Sequence, residues 1–245
     1  MEEQQRHALG RICLSASVQW SKSFIARCDS KFRNKNAWHQ LRLEILMKYA
    51  IIGSGKIGTA LARVFARKNI EVAVANSRGP ETLASLAKEL GASISPTSVV
   101  SASGAEIIFL AVPFSAHKEI AARMPHWNAK IIVDASNAFH VAPEELGGRL
   151  SSEILAEAFI GARVVKAFNH LPAQQLGTNP SIEGQRQVVF VSSNDANASA
   201  RTAALADELG FAPIQLGRLD QGGVPLHVVG GEPGGLLLRN LVELG

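Results

Sequence analysis

The sequence predicts an α/β protein with a doubly wound, mostly parallel sheet and a small carboxyl-terminal α/β lobe. Two features predict this fold class. Short apolar runs alternate with amphipathic stretches from Met47 onward, and a glycine-rich turn joins the first run to the first amphipathic stretch. Such alternation is typical of a parallel sheet covered by helices. With 245 residues, 47% of them hydrophobic, the chain is long enough to bury a sizeable core.

The predicted elements follow one another in a regular order. Strands are expected at 48–52, 70–75, 92–95, 106–112, 130–135, 163–167, 187–192 and 213–216. Helices are expected at 56–68, 81–90, 115–123, 153–159, 196–209 and 236–244. The runs at 106–112 and 130–135 each have an apolar centre, at 107–112 and 131–133, as buried parallel strands do.

The glycine-rich turn has the pattern of a pyrophosphate-binding loop. The first strand leads directly into Gly53, Gly55 and Gly58, and a helix pattern begins on them. In this pattern the glycines permit a tight turn, a close approach of backbone to phosphate, and close packing of helix on strand. The helix N-terminus then offers free N–H groups to an anion. The motif consists of Gly53, Ser54, Gly55, Lys56, Ile57 and Gly58. It predicts a Rossmann-like dinucleotide-binding domain at 47–170, with the lobe at 171–245; the alternative is a glycine turn without a ligand.

The end of the second strand indicates which dinucleotide is bound. An Asp or Glu at this point would bind the ribose hydroxyls of NAD. This chain instead has Asn76, Ser77 and Arg78, and its nearby Glu71 falls at the wrong end of the strand. A hydroxyl and a permanently charged guanidinium suit a 2′-phosphate, so the sequence favours NADP. The alternative is an ordinary solvated Arg before the turn at Pro80.

Three further segments follow successive buried strands and should meet at the same edge of the sheet, where ligands bind. They are Ala111-Val112-Pro113-Phe114, Ser136-Asn137 and Phe168-Asn169-His170. Pro113 and Val112 would flank the nicotinamide, and Asn137 and Asn169 would bind its carboxamide or the electron acceptor. The alternative is plain loop chemistry, with Asn in turns and Pro ending a strand.

Residues 1–46 differ from the rest of the chain. They hold eight of the 25 Lys and Arg residues and four of the 21 acidic residues, so the remainder has 17 of each sign. Both cysteines, Cys13 and Cys28, lie there too. The charge of the body therefore gives no reason to expect nucleic-acid binding, and the absence of Cys there excludes a Cys-based metal site. We expect a disordered extension or an upstream start before a true start at Met47; a targeting peptide and a structured accessory segment are the alternatives.

Three motifs together resemble the coenzyme F420-dependent NADP oxidoreductase family, which includes F420H2:NADP+ oxidoreductases. These motifs are Gly53-Ser-Gly-Lys-Ile-Gly58, Asn76-Ser77-Arg78 and Val165-Lys166-Ala167-Phe168-Asn169. The NADPH domains of STEAP-type metalloreductases are similar. The resemblance covers about 47–217 and implies cofactor contacts at Ser54, Gly55, Lys56, Ile57, Ser77, Arg78, Val112 and Ala167. His170 departs from the family, which usually has a small hydroxyl residue beside the acceptor pocket.

The resemblance implies hydride transfer between NADP(H) and a flavin-like or deazaflavin (F420-type) acceptor, with no catalytic acid or base. A short-chain dehydrogenase would need a catalytic Tyr, and the only Tyr is Tyr49 in the first strand. An imine- or hydroxyacid-reductase would need a larger helical domain than 170–245 allows. No metal site is expected, since His117, His126, His140, His170 and His227 lack ligand spacing.

The alternative function is a non-catalytic NADPH-binding sensor or scaffold. The expected partner is a small-molecule electron acceptor, with no nucleic acid and no membrane. A cytoplasmic location is expected from the cysteine usage, and a homodimer is expected to form through the apolar helix at 236–244.

Overall fold

The structure, a computed structural model, describes residues 47–139 and 141–227. The predictions for residues 1–46, for His140 and for the dimer-forming helix at 236–244 lie outside the described residues.

One sheet of eight strands forms the centre of the described part of the chain. In chain order its strands are β1 (Tyr49–Ile52), β2 (Val72–Ala75), β3 (Ile94–Thr97), β4 (Ile107–Leu110), β5 (Ile131–Asp134), β6 (Arg163–Ala167), β9 (Val188–Ser193) and β10 (Ala212–Gly217). The strands β7 (Ser181–Ile182) and β8 (Gln185–Arg186) form a separate hairpin. In space the order is β3-β2-β1-β4-β5-β6-β9-β10. The first six of these strands are parallel. From β1 the chain adds β2 and β3 on one side and then β4, β5 and β6 on the other, which is the doubly wound arrangement. The predicted fold class is confirmed.

The chain changes direction after β6. Strand β9 runs antiparallel to β6, with Val165 opposite Ser193, and β10 then runs parallel to β9. The separate hairpin of β7 and β8 precedes β9. The segment after residue 170 thus continues the same sheet, so the domain boundary predicted there coincides with a reversal of strand direction; the division itself stays a prediction.

Helices cover both faces of the sheet. The α-helices are α1 (Lys56–Arg67), α2 (Ala84–Leu90), α3 (Val99–Ala102), α4 (His117–Ala121), α5 (Ser151–Ala158), α6 (Ala173–Leu176) and α7 (Ala196–Glu208). Short 3-10 turns at Pro80–Leu83 and Phe114–Ala116 precede α2 and α4, so both α-helices are shorter than the expected ones at 81–90 and 115–123. A helix at 99–102 was not expected, because four residues are too few to show a period.

Two apolar layers follow from the alternation of side chains along the strands. Tyr49 and Ile51 face a layer that includes α1 and α7, whereas Ala50 and Ile52 face a layer that includes α3, α4 and α5. A row of five aromatic rings runs through the first layer, with neighbouring centroids 5.5–5.6 Å apart. The row consists of Tyr49, Phe65, Phe109, Phe168 and Phe211. Tyr49 is only 6% exposed, so its phenol belongs to the core.

Both edge strands of the sheet contain a proline: Pro96 in β3 and Pro213 in β10. Proline supplies no backbone N–H and is therefore tolerated at an edge. Among the described residues, no helix has both the length and the apolar character needed to cross a bilayer.

Candidate cofactor-binding site

The glycine turn after β1 is built as the motif predicts. Gly53 has a φ of 117°, and a Cβ on it would come within 2.2 Å of the Ala111 carbonyl oxygen. A Cβ on Gly58 would come within 1.9 Å of the Gly53 carbonyl oxygen. Only glycine fits either position, because the obstacle in both cases is backbone. These two glycines therefore bring α1 against the turn and the turn against the end of β4.

Gly55 is different, because no atom lies within 4 Å of a Cβ built on it. It is the exposed N-cap residue of α1, and no side chain caps that helix end. The first turn of α1 also contains no acidic residue. The first N–H groups of a helix have no partner within it, so this end offers free donors and a partial positive charge to an anion.

Asn76 fastens the β2 loop to the glycine turn. Its Nδ2 donates to Ser54 Oγ at 2.9 Å and to Thr82 Oγ1 at 3.0 Å, and its Oδ1 accepts from the Arg78 N–H at 2.9 Å. Asn76 is only 8% exposed. The hydrogen bonds of its side chain therefore stabilise the loop, and a direct contact of Asn76 with a cofactor stays a prediction.

Ser77 and Arg78 are exposed at the end of this loop. Within the described residues, the Arg78 guanidinium forms no hydrogen bond or ion pair. The Asn76–Ser54 hydrogen bond joins the loop that contains Arg78 to the glycine turn. The two segments predicted to bind phosphate are thus neighbours, as a 2′-phosphate and a pyrophosphate of one ligand require.

The segment after β4 borders the other side of the glycine turn. The Ala111 N–H donates to the Ile52 carbonyl at 2.9 Å and continues the ladder of β1 and β4. Val112 is half-buried and Pro113 is exposed. Ala167, in contrast, is fully buried in the core on β6, so its side chain is not at the surface of the site.

Asn137 and Asn169 meet after β5 and β6, as predicted. Asn137 Nδ2 donates to the Asn169 carbonyl at 2.8 Å, and Asn169 Nδ2 donates to Asn137 Oδ1 at 2.9 Å and to the Leu226 carbonyl at 2.6 Å. Asn169 is 5% exposed, and its Oδ1 is buried with no hydrogen-bond partner. A buried acceptor without a partner is costly unless a ligand or water supplies a donor. The amide –NH₂ of a nicotinamide is such a donor, and it would reach this buried atom once the groups that cover it move aside.

Beneath these amides lies an ion pair that sequence reasoning missed. Lys166 Nζ is 2.9 Å from Asp134 Oδ2, and neither side chain is exposed. Asp134 also accepts from Ser136 and Ser152. Burial alone would raise the pKa of Asp134, but the Lys166 charge and these hydrogen bonds outweigh it and lower that pKa. The only signals were that Lys166 belongs to the motif at 165–169 and that Asp134 is a charged residue in the predicted buried strand at 130–135.

Two histidines lie at the margin of the site. His170 packs against Phe190, with centroids 5.1 Å apart, and its Nε2 lies 3.4 Å from the Val188 carbonyl. Burial lowers its pKa. His227 Nδ1 lies 3.3 Å from Ser151 Oγ, while burial and then the Lys166 charge lower its pKa to about 4. Both rings are therefore neutral near pH 7. His227 was not predicted to be near the site.

The predicted segments thus line one edge of the sheet in the order β2, β1, β4, β5 and β6. Neighbouring strands are about 4.8 Å apart, so the line is extended, as a dinucleotide is. Its features fit NADP: a free cation at Arg78, open space over an uncapped helix at Gly55, and an unpaired acceptor at Asn169. Together the fold and these features define a Rossmann-type dinucleotide-binding protein.

Comparisons with known proteins narrow this class. Residues 48–138 match the model of the family described as NADP oxidoreductase, coenzyme F420-dependent. A hypothetical protein from Sinorhizobium meliloti is 40% identical, over 82% of this chain and 98% of that one, with a TM-score of 0.75. A candidate F420-dependent NADP reductase from Arthrobacter sp. FB24 is 26% identical, over 74% of this chain and 90% of that one, with a TM-score of 0.59.

A likeness over a shorter stretch is to mouse metalloreductase STEAP2, which is 36% identical over 92 residues. That stretch is 37% of this chain and only 17% of STEAP2, so this chain corresponds to a small part of that protein. Over residues 48–138 the chain is therefore similar to the coenzyme F420-dependent NADP oxidoreductase family.

Proposed function

We propose that the protein transfers a hydride between NADP(H) and a flavin-like or deazaflavin acceptor. The observation that carries this proposal is a line of groups at the carboxyl ends of the strands that have no partner within the described residues. They are the Arg78 guanidinium, the uncapped helix end at Gly55 and Asn169 Oδ1. When bound, NADPH supplies a hydride, and the acceptor takes up one further proton from solvent. The resemblance of the three motifs to F420-dependent enzymes favours a planar, flavin-like acceptor.

The residues of the site have binding and orienting roles in this proposal. Arg78 and Ser77 hold the 2′-phosphate, and the first turn of α1 holds the pyrophosphate. Asn169 Oδ1 accepts a hydrogen bond from the carboxamide, and Val112 and Pro113 form an apolar wall beside the ring. Fixing the ring in this way accounts for rate acceleration by orientation and by exclusion of water, without a protein acid or base.

A turnover assay tests the proposal. The protein is mixed anaerobically with NADPH and, in separate experiments, a deazaflavin, FMN or a ferric chelate, and the loss of nicotinamide absorbance is followed. We expect turnover with at least one of the two ring acceptors. Tight NADPH binding by calorimetry without turnover of any acceptor would contradict hydride transfer and favour the sensor or scaffold function.

A further inference from the structure

The buried ion pair between Asp134 and Lys166 is not explained by stability alone. Both side chains are completely removed from solvent. Taking two charges out of water costs free energy that their mutual attraction repays only in part, and apolar residues of similar size often stabilise a fold as well or better. The contacts that the pair makes are therefore the place to find its role.

Those contacts converge on Ser136, the second residue after the end of β5. Asp134 Oδ1 accepts from the Ser136 N–H at 3.0 Å and from Ser136 Oγ at 2.6 Å. Lys166 Nζ donates to the Ser136 carbonyl at 2.6 Å. The N–H, the hydroxyl and the carbonyl of one residue are thus held by the same ion pair. These three hydrogen bonds fix the backbone of Ser136 and thereby the position of the next residue, Asn137.

Hydrogen bonds connect Asn137 in turn to Asn169, whose Oδ1 is the unpaired acceptor. Asn137 exchanges hydrogen bonds with the carbonyl and the side chain of Asn169. Asn169 Nδ2 uses its second hydrogen on the Leu226 carbonyl. With both N–H bonds occupied, the amide plane cannot turn, and the direction of Oδ1 is set.

We propose that Asp134 and Lys166 are positioning residues for the nicotinamide end of the site. Through Ser136 and Asn137 they fix Asn169 Oδ1 at the place where it receives the carboxamide of NADP(H). They do not act on the adenosine end, which is held by the turn at Gly55 and by Arg78. The proposal rests on the proposed function for the identity of the ligand.

Two double variants separate this role from a structural one. Asp134→Asn with Lys166→Gln removes both charges but keeps a donor for the Ser136 carbonyl and an acceptor for its N–H. Asp134→Leu with Lys166→Met removes the charges and the hydrogen bonds together. Neither leaves an unpaired buried charge, which would be strongly destabilising. Ser152→Ala is the matched control, because Ser152 Oγ donates to Asp134 Oδ2 at 2.8 Å without touching Ser136.

The readout is the affinity for NADPH compared with that for adenosine 2′,5′-bisphosphate, which contains only the adenosine end, together with kcat for the best acceptor. For the Leu/Met variant we expect NADPH to bind about tenfold more weakly, through loss of an aligned hydrogen bond. Its kcat should fall about a hundredfold through misplacement of the ring. Bisphosphate affinity should stay within about twofold. The Asn/Gln variant and Ser152→Ala should retain most of the NADPH affinity.

Three outcomes would overturn the positioning role. They are equal losses for both ligands, equal behaviour of the two double variants, and no loss in either. If the Leu/Met variant fails to fold, Ser136→Ala removes one of the three anchoring contacts and should weaken NADPH alone by about threefold. A wild-type protein that binds no NADPH would refute the proposed function and this proposal together. Binding without turnover would refute hydride transfer only, and the affinity ratios would still decide the positioning role.

Discussion

Gly55 and Gly58 belong to the same motif, but the structure gives them opposite requirements. Gly58 is enclosed by the backbone of Gly53, whereas the space over Gly55 is open. Gly55 also has a φ of −75°, which any residue can adopt. A glycine is needed at 58 for the fold and at 55 only if a ligand comes close.

Substituting each glycine should therefore have a different effect. Gly58→Ala should cost at least about 1–3 kcal/mol of folding free energy, because its methyl group would overlap a carbonyl. Gly55→Asp should leave stability unchanged or raise it slightly, since Asp is a favourable N-cap residue. It should nevertheless weaken NADPH binding by at least about a hundredfold through charge repulsion. Thermal unfolding and calorimetric titration measure the two effects; unchanged affinity in Gly55→Asp would refute pyrophosphate binding at this turn.

Arg78 should determine the preference between the two nicotinamide cofactors. Arg78→Ala should weaken NADPH binding about 10- to 100-fold, because a charge-assisted contact to the 2′-phosphate is lost, and should leave NADH binding almost unchanged. Arg63→Ala is the control, since Arg63 lies on α1 and pairs with Glu89 at 2.7 Å on the surface. Equal losses for both cofactors, measured by titration, would show that Arg78 does not read the phosphate.

At the scale of elements, the loop after β2 is held as one unit by Asn76. Removing this side chain in Asn76→Ala should cost about 1–3 kcal/mol, because Ser54, Thr82 and the Arg78 N–H all lose a partner. NADPH affinity should fall as well, because the loop that carries Arg78 is no longer fastened to the glycine turn. Chemical denaturation and NADPH titration of the same variant test both parts.

The loop after the neighbouring strand offers a control of comparable stability. Ser98 caps α3 by accepting from the Ser101 N–H at 3.1 Å, and it follows β3, a strand that contributes none of the predicted binding segments. Ser98→Ala should cost about 1 kcal/mol with no change in NADPH affinity. A similar loss of affinity in both variants would mean that general destabilisation accounts for the effect of Asn76→Ala.

Strand ends were predictable from the sequence because parallel strands place their carboxyl ends together. That rule alone brought Asn76, Asn137 and Asn169 to one edge of the sheet. It does not specify the orientation of each side chain, and the Asn76 amide proved to bond to Ser54 of the glycine turn and to its own loop. The ion pair of Asp134 with Lys166 was not predictable either, since it depends on the register of two strands whose residues are 32 positions apart.

At the scale of the whole molecule, the buried histidines should make stability depend on pH. The pKa of His227 is about 4 in the folded protein and 6.5 when unperturbed, and the pKa of His170 is also lowered. Between these values the unfolded chain binds more protons, so stability should fall as the pH falls from 6.5 to about 4. Asp134, whose pKa is lowered from 3.8, loses its contribution only below that range.

His227→Gln should flatten this pH dependence. Among the described residues, the charged and polar groups around the ring are Lys166, Asp134 and Ser151, and the substitution leaves all three in place. Denaturation curves across the same pH range should show that the variant takes up about one proton fewer on unfolding than the wild type. An unchanged slope would assign the effect to other groups.

The prolines in β3 and β10 also bear on how copies of this protein meet. An edge strand with a regular row of donors and acceptors is a template on which another chain can add a strand, and this is a common route to aggregation. Pro96 and Pro213 each interrupt that row, one at either side of the sheet. Growth of the sheet from one molecule into the next is thereby disfavoured at both sides. Any specific assembly of this protein is then expected to use its helices and loops. The strand ends, where the ligand-binding groups are predicted, would thus stay free of a continuous intermolecular sheet.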